Sequence, residues 1–269
     1  MTEPIPLSAV GRTALAVSLA RAVESERPDA WFDDPLARGL ASRSGAAGDA
    51  ISSGTQRIGE GLRSWVAVRT RFLDDVVLES MVEGIRQVVI VGAGLDARSF
   101  RLPLPEGTTV FEVDRDDVLA VKQRVVDAAA LRPRGRRLVV VGDVTDPGWL
   151  GSLELSGWRS GEPTLWILEG FLIYFEAEVR TRILSELAAV SATGSRLGAT
   201  VSTRAGAPDN PLWYSFTSLD FVSWFAECGW AANATTMAER SESYGRPISV
   251  EVDQFAGVLI DAQLLAAGG

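Results

Sequence analysis

The 269-residue chain predicts an α/β fold, Rossmann-like and doubly wound, with a mostly parallel sheet and an N-terminal helical lid. Three observations carry that expectation. From Gln87 onward, short apolar runs alternate with segments of helical periodicity, the pattern of βα units that build parallel sheets. The run Val88-Val89-Ile90-Val91 breaks on Gly92-Ala93-Gly94. An unbroken apolar run suits a strand buried on both faces, and glycine lets the chain turn tightly beside a ligand. The next three apolar runs lead to acids, Asp114, Asp143 and Glu169, and the strand ends of an open α/β sheet converge at one rim. A carboxylate ending one strand is ordinarily a helix cap. Three in succession beside a glycine turn point to a site.

Taken in order, residues 8–24 place apolar side chains at helical spacing, and Asp33-Asp34-Pro35-Leu36-Ala37 punctuates the following turn. Gly39 to Gly61 is rich in Gly, Ser and Ala and has little to bury. It reads as a mobile connection or weak helix, long enough to act as a lid. Trp65 to Gly84 returns to helical periodicity and delivers the chain into the first strand. The second strand, Thr109 to Val113, is followed by a helix with Val118, Val121, Val125 and Val126 on one face. Arg137 to Asp143 reads as a third strand ending on an acid and Thr164 to Gly170 as a fourth ending on Glu169; a helix from Glu176 to Ser191 precedes a fifth strand near Leu197 to Ser202. The aromatic, loop-like segment 204–216 leads to a helix from Leu219 to Cys228, then strands at Trp230 to Met237 and Val258 to Leu265. No repeat or low-complexity linker divides the chain. Residues 1–269 therefore read as one domain: a helical lid region, 1–86, and a Rossmann-like core, 87–269, carrying 204–216 as an insertion.

Composition narrows the chemistry. The net charge of −9 argues against a nucleic-acid partner held through its phosphates. Cys228 is the sole cysteine, so an intrachain disulfide and a four-cysteine zinc site are excluded; at a helix end it reads as a buried structural thiol. The first residues have no basic stretch ahead of an apolar core and carry arginines within it, so neither a secretory signal nor a membrane span is expected. Cytoplasmic localisation is the default. The chain has no histidine, which removes a Ser-His-Asp triad, an imidazole base and histidine metal ligands. No metal is expected.

By spacing alone, Gly92 to Ala97 fits G-x-G-x-x-G/A, with Asp114 placed to accept hydrogen bonds from a ribose diol. That pattern suits NAD. A pyrophosphate there would lie near Asp96, however, and like charges repel where solvent is scarce. S-adenosylmethionine has the same adenosine end without the phosphates, and an amino acid beside a cationic sulfonium at the other. Both readings stay open on spacing, an NAD-dependent oxidoreductase and a methyl-donor site, as does a nucleoside-binding protein without catalysis.

Longer motifs extend the comparison: Arg69-Thr70-Arg71-Phe72 with Asp74-Asp75, Gly92-Ala93-Gly94-Leu95-Asp96-Ala97-Arg98, Phe111-Glu112-Val113-Asp114, Val141-Gly142-Asp143-Val144, and Glu169-Gly170-Phe171-Leu172-Ile173-Tyr174. With Thr13-Ala14 and Asp34-Pro35, they resemble the S-adenosylmethionine-dependent methyltransferases of the leucine carboxyl methyltransferase family, in its bacterial branch, over nearly the whole chain. The resemblance implies that Arg69 binds the methionine carboxylate and that Gly92 and Gly94 lie against the cofactor. It further implies that Asp114 holds the ribose hydroxyls, that Asp143 with Val144 receives the adenine, and that Glu169 contacts the amino-acid end. For Arg69 and Glu169 the alternative is a surface salt bridge. Arg71, Asp96 and Arg98 read as structural partners that fix the loops.

Eukaryotic members of that family methylate a protein C-terminus; this chain is shorter and differs in its N-terminal region, so a small-molecule acceptor is expected. Bacterial relatives imply a carboxyl or hydroxyl oxygen of a polyketide-like metabolite. A carboxylate is ionised at neutral pH, whereas an alcohol or phenol needs a base, and histidine is absent. That favours a carboxyl oxygen, attacked in line. No catalytic residue is assigned. Tyr174, Trp213 and Tyr214 are candidates to line the acceptor pocket, with a place in the hydrophobic core as the alternative.

Overall fold

The computed structural model describes residues 9–43, 59–202, 214, 220–248 and 257–265, with side chains from Thr13 onward except that of Arg43. The apolar runs form seven strands: β1 Gln87–Val91, β2 Thr109–Asp114, β3 Arg136–Val141, β4 Thr164–Leu168, β5 Arg196–Ser202, β6 Trp230–Thr236 and β7 Gly257–Leu264. They make one sheet in the order β3-β2-β1-β4-β5-β7-β6. The first five are parallel, with Val89 opposite Phe111 on one side and Trp166 on the other. β7 runs antiparallel to both β5 and β6. Thr236 at the end of β6 pairs with Val258 near the start of β7, so the chain turns back at one end of the sheet.

Burial follows position in the sheet. β1, β4 and β5 are buried at every residue, whereas edge strands β3 and β6 expose part of theirs. Because alternate side chains point to opposite faces, β1 divides between two cores. Val88 and Ile90 pack with Leu165 and Ile167 against Leu73, Val76 and Val77 of the long helix Glu60–Val82 (α3). Val89 and Val91 pack on the other face with Trp166, Trp149, Leu184 and Phe225. α3 thus belongs to the N-terminal 86 residues and is also a wall of the sandwich.

The helices Ala9–Ser25 (α1) and Pro35–Arg43 (α2) precede it. Asp34 caps α2, its Oδ1 accepting from the Ala37 N–H at 2.8 Å. Its Oδ2 accepts from Arg21 Nε of α1 at 2.7 Å, and Arg21 Nη2 donates to the Leu95 carbonyl at 2.6 Å. Two helices and the glycine turn are thereby joined through one buried guanidinium. The Gly/Ser/Ala-rich stretch read from Gly39 onward begins later than its composition suggests: residues 39–43 complete α2, where Leu40 and Ala41 find enough apolar contact to be buried. At its other end Glu60 and Gly61 open α3, while 44–58 of that stretch, and 204–213, 215 and 216 of the aromatic segment 204–216, lie outside the described residues.

Candidate active site

The strand order places β1 beside β4, so successive connections run in opposite directions from that pair. Such a switch point opens a crevice beyond the carboxyl ends of the strands. A cavity of about 270 Å³ lies there. Arg69, Gly92, Gly94, Asp114, Asp143, Val144 and Glu169 all line it, and so does Tyr174.

The glycine turn hangs on the end of β2. Ala93 N–H donates to the Val113 carbonyl at 3.0 Å, and Gly94 N–H donates to Asp114 Oδ2 at 2.7 Å. Gly92 has φ 68°, and a Cβ there would collide with the Phe171 ring. Burial holds the Asp114 carboxyl above its usual range, although the N–H groups of Gly94 and Arg115 oppose the shift. At the end of β3, Asp143 Oδ1 accepts from the N–H and hydroxyl of Thr145 at 2.9 and 2.6 Å, and these bonds lower its pKa.

The other side of the cavity is a buried ion network. Glu169 accepts from Arg69 Nε at 3.0 Å and from Arg98 Nη1 at 2.7 Å. Burial would raise its carboxyl, but the guanidiniums of Arg98, Arg69 and Arg21 outweigh that and bring it to about 2. Arg98, on the short helix Arg98–Arg101, also pairs with Asp96 and with Asp74 at 2.9 Å. Arg101 completes the network on Asp74. Arg69 differs from these neighbours. Burial, seconded by Arg21, lowers it to about 10 against the pull of Glu169, whereas the carboxylates around Arg98 and Arg101 raise both above their ordinary value despite burial. Its guanidinium lies over the Trp65 ring at 4.0 Å. Gly170, φ 60°, leaves room for it, since a Cβ there would sit 3.0 Å from Arg69 Nη1.

Arg71 stands away from the cavity, over the Tyr244 ring at 4.1 Å. Tyr174 closes a 3-10 turn, Leu172–Tyr174. Tyr214 is held to the same turn by its backbone, its N–H donating to the Ile173 carbonyl at 2.8 Å, but its side chain is 43% exposed and does not line the cavity. Trp213 lies outside the described residues. Sequence reasoning passed over Val17 and Arg21 of α1, and Phe171 and Phe175, which also line the cavity. The signal for the first two was present: Ala14, Val17 and Arg21 recur at helical spacing, so an arginine continues an apolar stripe. Among the described residues, no helix is long and apolar enough to cross a membrane, and no group of three or more candidate side chains could hold a metal ion.

A Rossmann-like sheet with a glycine turn, strand-end acids and a helical cover around one cavity at the switch point defines the class as an α/β methyltransferase-like domain. Comparison with known proteins agrees. The profile of the leucine carboxyl methyltransferase family matches residues 14–188. A candidate S-adenosyl-L-methionine-dependent methyltransferase of Parafrankia sp. is 39% identical over 94% of this chain and 87% of its own. One from Streptomyces avermitilis is 37% identical over 97% of each. The crystal structure of a candidate methyltransferase from Thermobifida fusca superposes with a TM-score of 0.57 at 18% identity, covering 96% of this chain and 100% of that one. The chain belongs to the leucine carboxyl methyltransferase family and is an S-adenosylmethionine-dependent methyltransferase. The NAD-dependent and non-catalytic readings left open by spacing are set aside.

Proposed function

We propose that the chain, acting as one catalytic domain, methylates a carboxyl oxygen of a small polyketide-like metabolite. The observation that carries this reading is the state of the four carboxylates lining the cavity, Asp96, Asp114, Asp143 and Glu169. Each is already committed to a protein partner. Three have lowered pKa values, and Asp114, though raised, accepts two backbone N–H bonds. The three lowered carboxylates are poor bases, and the chain has no histidine. An acceptor that arrives ionised needs no base.

The residues fit the cofactor as follows. Arg69 spends Nε on Glu169, and its two terminal nitrogens have no protein acceptor among the described residues. A buried cation with a lowered pKa favours an anionic group, and those two nitrogens suit the methionine carboxylate as a bidentate pair. Asp114 retains lone pairs beyond its two N–H partners for the ribose hydroxyls. Asp143, oriented by Thr145, and the Val144 backbone offer an acceptor and a donor for the adenine edge. Gly92 and Gly94 put no side chain of their own into the cavity, and the Phe171 ring takes the space beside Gly92. When bound, S-adenosylmethionine supplies an activated methyl group, so the protein's work is to align it with the acceptor and exclude water.

The test is incubation with isotopically labelled S-adenosylmethionine and matched panels of carboxylic acids and phenols. A labelled ester, released by mild alkali, is the expected product. Its rate should be level above about pH 6, where a carboxylic acid of pKa about 4–5 is already ionised. An alkali-stable ether, with a rate still climbing toward pH 10, would assign a hydroxyl acceptor instead and bring the Tyr174 hydroxyl into the chemistry.

A further inference from the structure

Resting on the cofactor reading above, we infer that the Phe171 ring is the wall against which the sulfonium centre is held, so that Phe171 favours the cationic methyl donor over its neutral thioether product. The placement follows from the two ends of the cofactor site. Asp114 lies at the ribose end and the Arg69–Glu169 pair at the amino-acid end, and the sulfonium joins those two parts of the molecule. Gly92 and Gly94 line the cavity between them, and the Phe171 ring packs directly on Gly92. Phe175 packs against it, with ring centroids 4.9 Å apart and planes tilted by 59°, and also lines the cavity.

The electrostatics give the ring its role. A sulfonium brought into this cavity meets the guanidiniums of Arg21 and Arg69, which repel it. Asp96 and Glu169 are paired with guanidiniums, whereas Asp114 and Asp143 accept only from neutral donors and lie at the ribose and adenine end of the proposed site. Between the two ends the negative face of an aromatic ring adds a short-range attraction, and its pull on a cation grows as water is excluded. The thioether product carries no charge at sulfur and gains nothing from that face. Phe171 thereby separates donor from product at the atom where they differ.

The experiment is titration calorimetry of the full chain with S-adenosylmethionine and S-adenosylhomocysteine, in wild type, Phe171→Leu and Phe171→Tyr. Phe171→Leu should lower the ratio of donor to product affinity by about 3- to 30-fold, the span of cation–π energies from exposed to desolvated sites. Phe171→Tyr, which keeps a π face, should stay within about twofold of wild type. If Phe171→Leu does not fold, Phe171→Met, similar in bulk and without a π face, supplies the same comparison. Equal weakening of both ligands, with an unchanged ratio, would reduce Phe171 to packing on Gly92 and overturn the inference. Wild-type protein that binds neither ligand would instead overturn the cofactor reading on which it rests.

Discussion

Arg69 Nε donates to Glu169 Oε1 at 3.0 Å, joining the middle of α3 to the end of β4 across 100 residues of chain. The pair is the cavity-facing edge of a larger buried system, in which Arg21, Arg69, Arg98 and Arg101 are matched by Asp34, Asp74, Asp96 and Glu169. Four guanidiniums against four carboxylates leave the protein's own charges balanced there. In the proposed placement, the amino-acid end of the cofactor, carrying one carboxylate and one ammonium, would preserve that balance.

Acid should dismantle this system in a defined window. The Glu169 carboxyl is lowered from 4.5 to about 2, so its contribution to stability is fully present above pH 4.5 and is lost as pH falls toward 2. The linked free energy is on the order of 3 kcal/mol, shared with its arginines. Urea unfolding at pH 5 and pH 3 should show wild type losing stability between them, and Glu169→Gln losing distinctly less. Parallel losses in the two proteins would show that Glu169 does not titrate as the network requires.

Gly92→Ala should damage both fold and site. The added Cβ collides with the Phe171 ring, and an L side chain in the left-handed region costs about 1–2 kcal/mol by itself. A lower Tm and loss of S-adenosylhomocysteine binding are expected. Phe171→Ala in the same chain should recover part of the stability, a coupling that a double-mutant cycle measures. Additive losses would place the strain elsewhere.

Lys122 is the only lysine of the chain, and it is fully buried, 2.7 Å from the equally buried Glu112. Arg137 and the Ser99 hydroxyl hold the same carboxylate at 2.8 Å. Glu112→Gln would strand two buried cations and should cost roughly 3–5 kcal/mol. Lys122→Met leaves Glu112 with two partners and should cost less. Amine-reactive reagents should leave the Lys122 peptide unmodified in native protein and modify it on unfolding; rapid labelling of the native state would contradict this burial.

How far the sequence reveals all this depends on the range of the interactions. β1 and β4 are legible because helices cover both faces, which makes their apolar runs unbroken. The strand-end acids are legible for the same reason, since they are where those runs stop. The short helices Arg98–Arg101 and Trp149–Leu155 show too little periodicity to be read. Which carboxylates Arg98 meets is hidden as well. Asp74 and Glu169 lie 24 and 71 residues away in sequence, and packing alone decides that they converge. The contribution of α1 to the cavity depends on how that helix docks, which the Arg21 contacts to Asp34 and the Leu95 carbonyl set.

The central claim, that this cavity takes S-adenosylmethionine with Arg69 on its carboxylate, is tested most directly by Arg69→Ala with two ligands. Losing one partner of a desolvated charge pair costs about 2–5 kcal/mol, or roughly 30-fold to several thousand-fold in affinity. S-adenosylhomocysteine should weaken by that factor, with Arg69→Lys recovering only part of it, because an ammonium lacks the planar fork. Adenosine, which has no methionine carboxylate, should bind wild type and Arg69→Ala almost equally. Equal weakening of adenosine and S-adenosylhomocysteine would contradict the account and make Arg69 a support of the fold.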